Sequence, residues 1–209
     1  MVCERQVERR IISGLRHVAR LEQLPLLQVD LKVQNIVPLC ISLDGLKNKN
    51  TDDLMQLERI VRENAAATAE GAVAEAVQNS PVTLRGSLCI LTGYGRCGSA
   101  IHQCLKNWGC TIVVYDRDEN ACERAKEAGA KICEYKDLSK VLKKAAFLFN
   151  TAPSAVWTER LLEGVPQEVC ILELASMPGG IDRDAADRLG IHINVLPGLP
   201  GRFAPCTSG

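Results

Sequence analysis

Residues 93–98, Gly93-Tyr94-Gly95-Arg96-Cys97-Gly98, stand directly after the apolar run Leu88-Cys89-Ile90-Leu91-Thr92 and directly before an amphipathic stretch. A G-x-G-x-x-G pattern alone says little, because glycine is common and the pattern is short. Here a strand precedes it, a helix follows it, and an acidic residue, Asp116, closes the next apolar run, which is the setting a dinucleotide-binding turn requires. Gly93 permits the tight turn, Gly95 lets the backbone approach a pyrophosphate, and Gly98 lets the helix pack closely on the strand. The helix N-terminus offers N–H groups and a partial positive charge to the phosphates.

From residue 87 onward, short apolar runs alternate with helical patterns, the signature of a parallel sheet wrapped by helices. Six strands are expected, at residues 88–92, 111–115, 131–135, 146–150, 168–174 and 191–196. Between the first two, Ile101, Cys104, Leu105 and Trp108 recur at helical spacing, so residues 97–108 should be a helix that ends at Gly109. A second helix is expected over 119–128, and Asp137, Ser154 and Asp182 are candidate N-caps for three more. Right-handed crossovers favour the doubly wound order 3-2-1-4-5-6, with a ligand crevice at the C-terminal ends of the first and fourth strands.

The first 86 residues read differently. Val7, Ile11, Leu15 and Val18 follow a helical stripe, residues 45–53 look like a surface loop, and residues 52–78 are mostly helical with a candidate restart at Thr68. The expected organisation is a short N-terminal segment at 1–57, a remnant of a substrate or catalytic domain, then linking helices at 58–86 and a dinucleotide-binding domain at 87–209.

Charge balance excludes some partners. With 25 basic and 25 acidic residues there is no electrostatic footprint for nucleic acid or an anionic membrane, and Lys136, Lys140, Lys143 and Lys144 read as a solvated helix face. The ten cysteines form no C-x-x-C pair and no zinc-type arrangement, and several lie in apolar runs as small hydrophobes, so no metal is expected. No apolar leader or run of membrane-spanning length occurs, which points to the cytoplasm and reduced thiols.

Asp116 is placed to accept hydrogen bonds from the adenosine ribose, and a carboxylate there repels a 2′-phosphate, so NAD is favoured. Arg117, one residue on, can pair with such a phosphate, so NADP stays open. Arg96 either lies over the pyrophosphate or faces solvent. Asn150-Thr151-Ala152-Pro153 closes the fourth strand and suits the nicotinamide half, and Leu174-Ala175-Ser176-Met177-Pro178-Gly179-Gly180 follows the fifth. Pro197-Gly198-Leu199-Pro200-Gly201, running on to Ala204-Pro205, reads as a stiff wall. Of the three histidines, His17 and His102 fall on helices and His192 near a strand start, so each reads as structural. Glu63, Glu70 and Glu173 are the carboxylates best placed to reach a site.

Taken together, Arg62-Glu63-Asn64, Thr68-Ala69-Glu70-Gly71, Leu84-Arg85-Gly86-Ser87, the glycine turn and these three strand-end segments resemble the dipicolinate synthase family, in its A-type subunits, over about Glu58 to Gly209. The resemblance implies a Rossmann domain, related to the cofactor domains of 2-hydroxyacid dehydrogenases and adenosylhomocysteine hydrolase. It further implies an NAD(P)-dependent oxidoreductase subunit that works with a flavoprotein-like B-type partner. Its reaction would turn a dihydrodipicolinate-type intermediate of the lysine pathway into pyridine-2,6-dicarboxylate for spores. The cofactor residues would be Gly93 to Gly98, Asp116, Arg117, Asn150 to Pro153, Leu174, Ala175, Ser176, Pro197 and Gly198. The dicarboxylate substrate would meet Glu63, Asn64, Thr68, Glu70, Met177, Gly179, Gly180, Ala204 and Pro205. The family usually carries a basic residue where Met177 stands, a natural carboxylate clamp. A homo-oligomer is expected. The competing reading is a dinucleotide-binding or subunit-interaction module that kept the fold and lost the active cleft.

Overall fold

The computed structural model of the protein describes residues 58–203. Within them Thr68–Pro197 form one compact unit, while residues 58–67 and 198–203 belong to a second. The stripe at Val7 to Val18, His17, the loop at 45–53, and the candidate site residues Ala204 and Pro205 lie outside the described residues.

Helix α1, Glu58–Gln78, runs through the Ala-rich segment without a break. Thr68 therefore starts no second helix. Alanine is the strongest helix former, so a run containing Ala65, Ala67, Ala69, Ala72 and Ala76 carries the helix across Thr68 and Gly71. In the compact unit Ala69, Ala72, Val73 and Ala76 recur at helical spacing and are buried.

The expected sheet is present. Strands β1 (Leu88–Thr92), β2 (Thr111–Tyr115), β3 (Lys131–Ile132), β4 (Phe147–Asn150), β5 (Cys170–Glu173) and β6 (Ile193–Val195) are all parallel, in the order β3-β2-β1-β4-β5-β6. The pairs Thr92 with Tyr115, Thr92 with Asn150, and Asn150 with Glu173 bring the strand ends to one pole. Central strands of a parallel sheet are covered on both faces, which is why Cys89, Ile90, Leu91, Phe147, Leu148, Phe149, Ile171 and Leu172 are all buried. One face, with Ile90, Leu148 and Ile171, packs against Leu138 and Leu142 of α4 (Leu138–Leu142), Leu161 and Leu162 of α5 (Glu159–Leu162), and Ala185 and Ala186 of α6 (Arg183–Arg188). The first two crossover helices are α2 (Arg96–Asn107) and α3 (Glu119–Glu127), whose Ile101, Leu105, Ala121 and Ala125 are buried. Leu199–Phe203 forms a last short helix, α7, in the other unit, where the sequence reads as a stiff loop.

Three local expectations shift. Strand β3 holds only Lys131 and Ile132, both exposed, and the chain turns into a 3-10 helix at Tyr135–Asp137. Ser154 caps nothing: it lies in a bend, Val156 N–H and Trp157 N–H both donate to the Gly180 carbonyl at 2.9 Å, and α5 begins only at Glu159, with Thr158 before it. Asp137 precedes α4, but its carboxylate takes the Lys140 ammonium at 2.6 Å instead of capping. Asp182 does cap, accepting from the Ala185 N–H at 2.9 Å.

Candidate functional site

The turn after β1 divides its glycines between two jobs. Gly93 has φ +88°, and a side-chain carbon there would stand 2.6 Å from Thr151 Oγ1 and 2.9 Å from the Ala152 nitrogen. One on Gly98 would press into the Gly93 carbonyl, well under 3.0 Å. Both positions need glycine so that the turn, α2 and the end of β4 can touch. Gly95 is different. It lies at φ −78°, is exposed, and a side-chain carbon there would meet no protein atom within 4 Å. The cradle is open at that residue.

Gly95 is also the N-cap of α2, offering no capping side chain, and the first turn carries no acidic residue. Helix α3, by contrast, is capped by Asp118, which accepts from the Asn120 N–H at 3.0 Å. An uncapped N-terminus beside open space, with Arg96 exposed in its first turn, suits an anionic ligand.

Asp116 is tied into the same turn. One carboxylate oxygen accepts from the Tyr94 N–H at 2.6 Å and the other from the Asp118 N–H at 2.9 Å. The carboxylate is thereby held at the rim between β1 and β2 with acceptor capacity left over, while Arg117 is exposed. Beneath the turn, the Tyr94 hydroxyl meets His102 Nδ1 at 2.6 Å. His102 is 1% exposed, and burial, with Lys106 second, holds its imidazole below its ordinary value. It is a structural histidine, as its helical placement suggests.

On the other side of the turn, Thr151 N–H donates to the Thr92 carbonyl at 2.8 Å, and the Thr151 hydroxyl is within 3.1 Å of the Thr92 and Gly93 carbonyls. A buried polar chain runs below it. Trp157 Nε1 donates to the Thr92 hydroxyl at 3.2 Å, the Thr92 hydroxyl donates to Asn150 Oδ1, and Asn150 Nδ2 donates to Glu173 Oε1 at 2.7 Å. Glu173 is 1% exposed and accepts three further bonds: Ala175 N–H at 3.0 Å on one oxygen, Gly180 N–H at 3.0 Å and Ile181 N–H at 3.1 Å on the other.

From the sequence, Glu173 is a carboxylate able to reach a site. Four donors surround it, so it is instead the peg around which the loop 174–180 is wound. Burial pushes its carboxyl above the usual range, while these four donors pull the other way. Gly179 and Gly180 fit this winding: a side-chain carbon on Gly179 would stand 2.9 Å from Glu173 Oε2, and one on Gly180 2.5 Å from the Ala152 carbonyl. The loop thus brings Leu174, Ala175 and Ser176, all half-buried, beside Asn150 and Ala152, with Pro153 exposed.

Other candidates fall elsewhere. Met177 is 72% exposed. On α1, Glu63 and Glu70 are exposed and Asn64 and Thr68 buried, with Glu63 and Asn64 in the other unit. Pro197 ends the compact unit and Gly198 begins the other. His192 is exposed and lines a cleft with Pro166, Val169 and Leu189, at the N-terminal pole of the sheet. Thr92 and Trp157 carry no motif in the sequence, although a threonine closing an apolar strand is a usable signal. Among the described residues no group of three or more His, Cys, Asp or Glu could hold a metal ion, and no helix is long and apolar enough to cross a membrane.

The comparisons with known proteins agree with this geometry. Residues 52–164 match the D-isomer specific 2-hydroxyacid dehydrogenase, NAD binding domain family, more than half of the chain, and the protein belongs to it. It carries an NAD(P)-binding domain of dehydrogenase type. The resemblance to the A-type subunits of dipicolinate synthase is also borne out: the chain is 29% identical over 181 residues to the one from Bacillus subtilis (strain 168), covering 81% of this chain and 61% of the relative. The crystal structure of that Bacillus subtilis protein has a TM-score of 0.70 at 29% identity, over 78% of this chain and 59% of that one. Its counterpart from Bacillus halodurans gives 0.69 at 29%, over 78% and 60%. The chain thus spans about three fifths of the length of these relatives.

The residues present fit a dinucleotide, since the open space at Gly95 borders an uncapped helix terminus and the Asp116 carboxylate, just after β2, is bonded to the same turn.

Proposed function

We propose that this chain is the nucleotide-binding subunit of an oxidoreductase of the dipicolinate synthase type. It would bind NAD(P) along the C-terminal ends of β1 and β4 and, with a B-type partner, oxidise a dihydrodipicolinate-type dicarboxylate to pyridine-2,6-dicarboxylate. The observation that carries the reading is the open cradle at Gly95, flanked by Asp116 on one side and by Thr151 and the Glu173-centred loop on the other. The nicotinamide, when bound, supplies a two-electron acceptor for hydride, and a proton leaves to solvent or base as the ring becomes aromatic. The chain's own residues orient. Gly93 to Gly98 would take the pyrophosphate, Asp116 the ribose hydroxyls, and Asn150 to Pro153 with Leu174 to Ser176 the nicotinamide half. NAD is favoured over NADP because the Asp116 carboxylate repels a 2′-phosphate.

The same site motivates a second reading. Glu173, at the end of β5, is fully engaged as a structural peg and His102 is sealed under the turn, so a binding module without its own acid or base is consistent with these residues. Two experiments separate the readings. Melting the protein with millimolar NAD, NADH, NADP or NADPH should raise the midpoint with at least one of them, and no shift with any would sink both readings. Adding the dihydrodipicolinate precursor with the B-type partner and following pyridine absorbance should show turnover. Absence of turnover in a protein that binds NAD would leave the module.

A further inference from the structure

Burying a charged group without a partner is costly, so an orphaned buried charge asks for a missing counterpart. Among the described residues, the buried side-chain nitrogens and oxygens that lack a hydrogen-bond partner are Nε and Nη2 of Arg183. These two nitrogens are the edge of a guanidinium whose N–H bonds run parallel, which is the edge that grips a carboxylate side-on through two hydrogen bonds.

The contrast with Arg188, at the other end of the same helix, sharpens the point. Arg188 lies at the surface and is paired with Glu159 at 3.0 Å. Arg183 is half-buried, with two nitrogens enclosed and no acidic partner among the ion pairs of the described residues. Its backbone is tightly placed. Gly180 and Ile181 N–H groups hang on Glu173, and Asp182 N–H donates to the Trp157 carbonyl at 3.0 Å. Arg183 therefore leaves the C-terminal pole of the sheet shortly after the loop that is wound against Asn150 and Ala152. Between Glu173 and Asp182 no cation occurs, and Met177, at the tip of that loop, is an exposed uncharged side chain.

We propose that Arg183 is a carboxylate anchor: its Nε and Nη2 edge receives one carboxylate of the dicarboxylate substrate. This rests on the functional reading above, and no other residue here has been assigned that task by its contacts. A guanidinium edge enclosed and unpaired until the ligand arrives would also make the free protein less stable than it needs to be.

The test uses the full chain and pyridine-2,6-dicarboxylate as probe, titrated by calorimetry into wild type, Arg183→Met and Arg183→Lys, each saturated with the best-binding nucleotide. Arg183→Met should weaken dicarboxylate binding at least tenfold and Arg183→Lys less, because an ammonium keeps the charge and loses the fork. Nucleotide affinity should be unchanged in both. The ligand-free Arg183→Met protein should melt at or above the wild-type temperature. Equal dicarboxylate affinity in wild type and Arg183→Met would overturn the proposal, as would an Arg183→Met protein that melts lower, since that would make the arginine a structural strut. The functional reading fails separately: if wild type with the B-type partner turns over the dihydrodipicolinate precursor while Arg183→Met keeps its KM, only the anchor is lost. If wild type binds nucleotide but neither binds the dicarboxylate nor turns over, both are lost.

Discussion

Two glycine-bearing segments meet at the C-terminal pole of the sheet, and they are built on opposite plans. The turn after β1 is made of backbone packed on backbone, with Gly93 and Gly98 in close approach and Gly95 left facing open space. The loop after β5 is made around a side chain, the Glu173 carboxylate, with Gly179 and Gly180 thinned to pass it and Asn150. Each segment also has a carboxylate, and these differ in the same way. Asp116 is half-buried with two backbone donors and spare acceptor capacity, whereas Glu173 is sealed with four donors. Openness to a ligand is therefore the property to read from such a segment, and the presence of glycine or acid alone does not supply it.

The contrast breaks most violently at Gly98. Gly98→Ala puts a methyl into the Gly93 carbonyl, where neither backbone can yield, so a loss of about 4 kcal/mol or more and mostly insoluble expression is expected, checked by urea melts of whatever folds. A melt within about 1 kcal/mol of wild type, a bound set by ordinary surface substitutions, would show that the turn is looser than described.

Glu173→Gln comes next. The substituted amide places a donor against either the Gly180 and Ile181 N–H pair or the Ala175 N–H and Asn150, so about 2–4 kcal/mol should be lost. Denaturation of this variant and of Asp116→Asn side by side tests the comparison directly. The Asp116 variant should lose about 1 kcal/mol, because its amide can still accept one of the two N–H bonds. Equal losses would erase the distinction between a peg and a rim carboxylate.

In Asp116→Ala the effect should move from stability to selectivity. Removing the charge that repels a 2′-phosphate should raise NADP affinity relative to NAD by about tenfold, read by titrating both nucleotides. An unaltered ratio would take Asp116 out of the ribose site.

The smallest expected effect lies under the turn. Because burial holds the His102 imidazole below its ordinary value, the unfolded chain takes up a proton at a pH where the fold does not. Stability contributed this way is complete above the ordinary value of about 6.5 and falls as pH drops toward the folded value, with a slope of at most about 1.4 kcal/mol per pH unit. Melting wild type and His102→Gln at pH 7.5, 6.5 and 5.5 (chosen to bracket about 6.5) should show wild type losing more on acidification. Parallel curves would mean the histidine is not held neutral.

Much of this is readable in the chain. The strands β1, β2 and β4 fall where the apolar runs stand, because strands covered on both faces have little choice of residue, and the order of the sheet follows from crossover handedness. The strand at Lys131-Ile132 is shorter than its sequence suggests because an exposed edge strand has no such signature. The start of α5 is not where Ser154 would put it, because the segment before the helix answers to the Gly180 carbonyl, a partner far along the chain. Thr68 looks like a cap because threonine caps well, and the alanines around it outweigh that preference. In the site, the glycine turn and Asp116 are legible since their spacing is local to one strand-helix-strand unit. The role of Glu173 is not, because its donors come from Asn150 and from residues beyond the next turn. Arg183 has no local signal at all, as only two enclosed and unpartnered nitrogens distinguish it from any arginine at a helix start.

Gly95→Val tests the central claim most directly. Without nucleotide it should stay folded and lose no more than about 1 kcal/mol, the cost of valine at a helix N-cap, since the added β-carbon enters open space, while the rise in midpoint produced by millimolar NAD in wild type should vanish. A variant that unfolds without nucleotide, or one that folds and still answers NAD as wild type does, would contradict the assignment of Gly95 as the open point of the cradle.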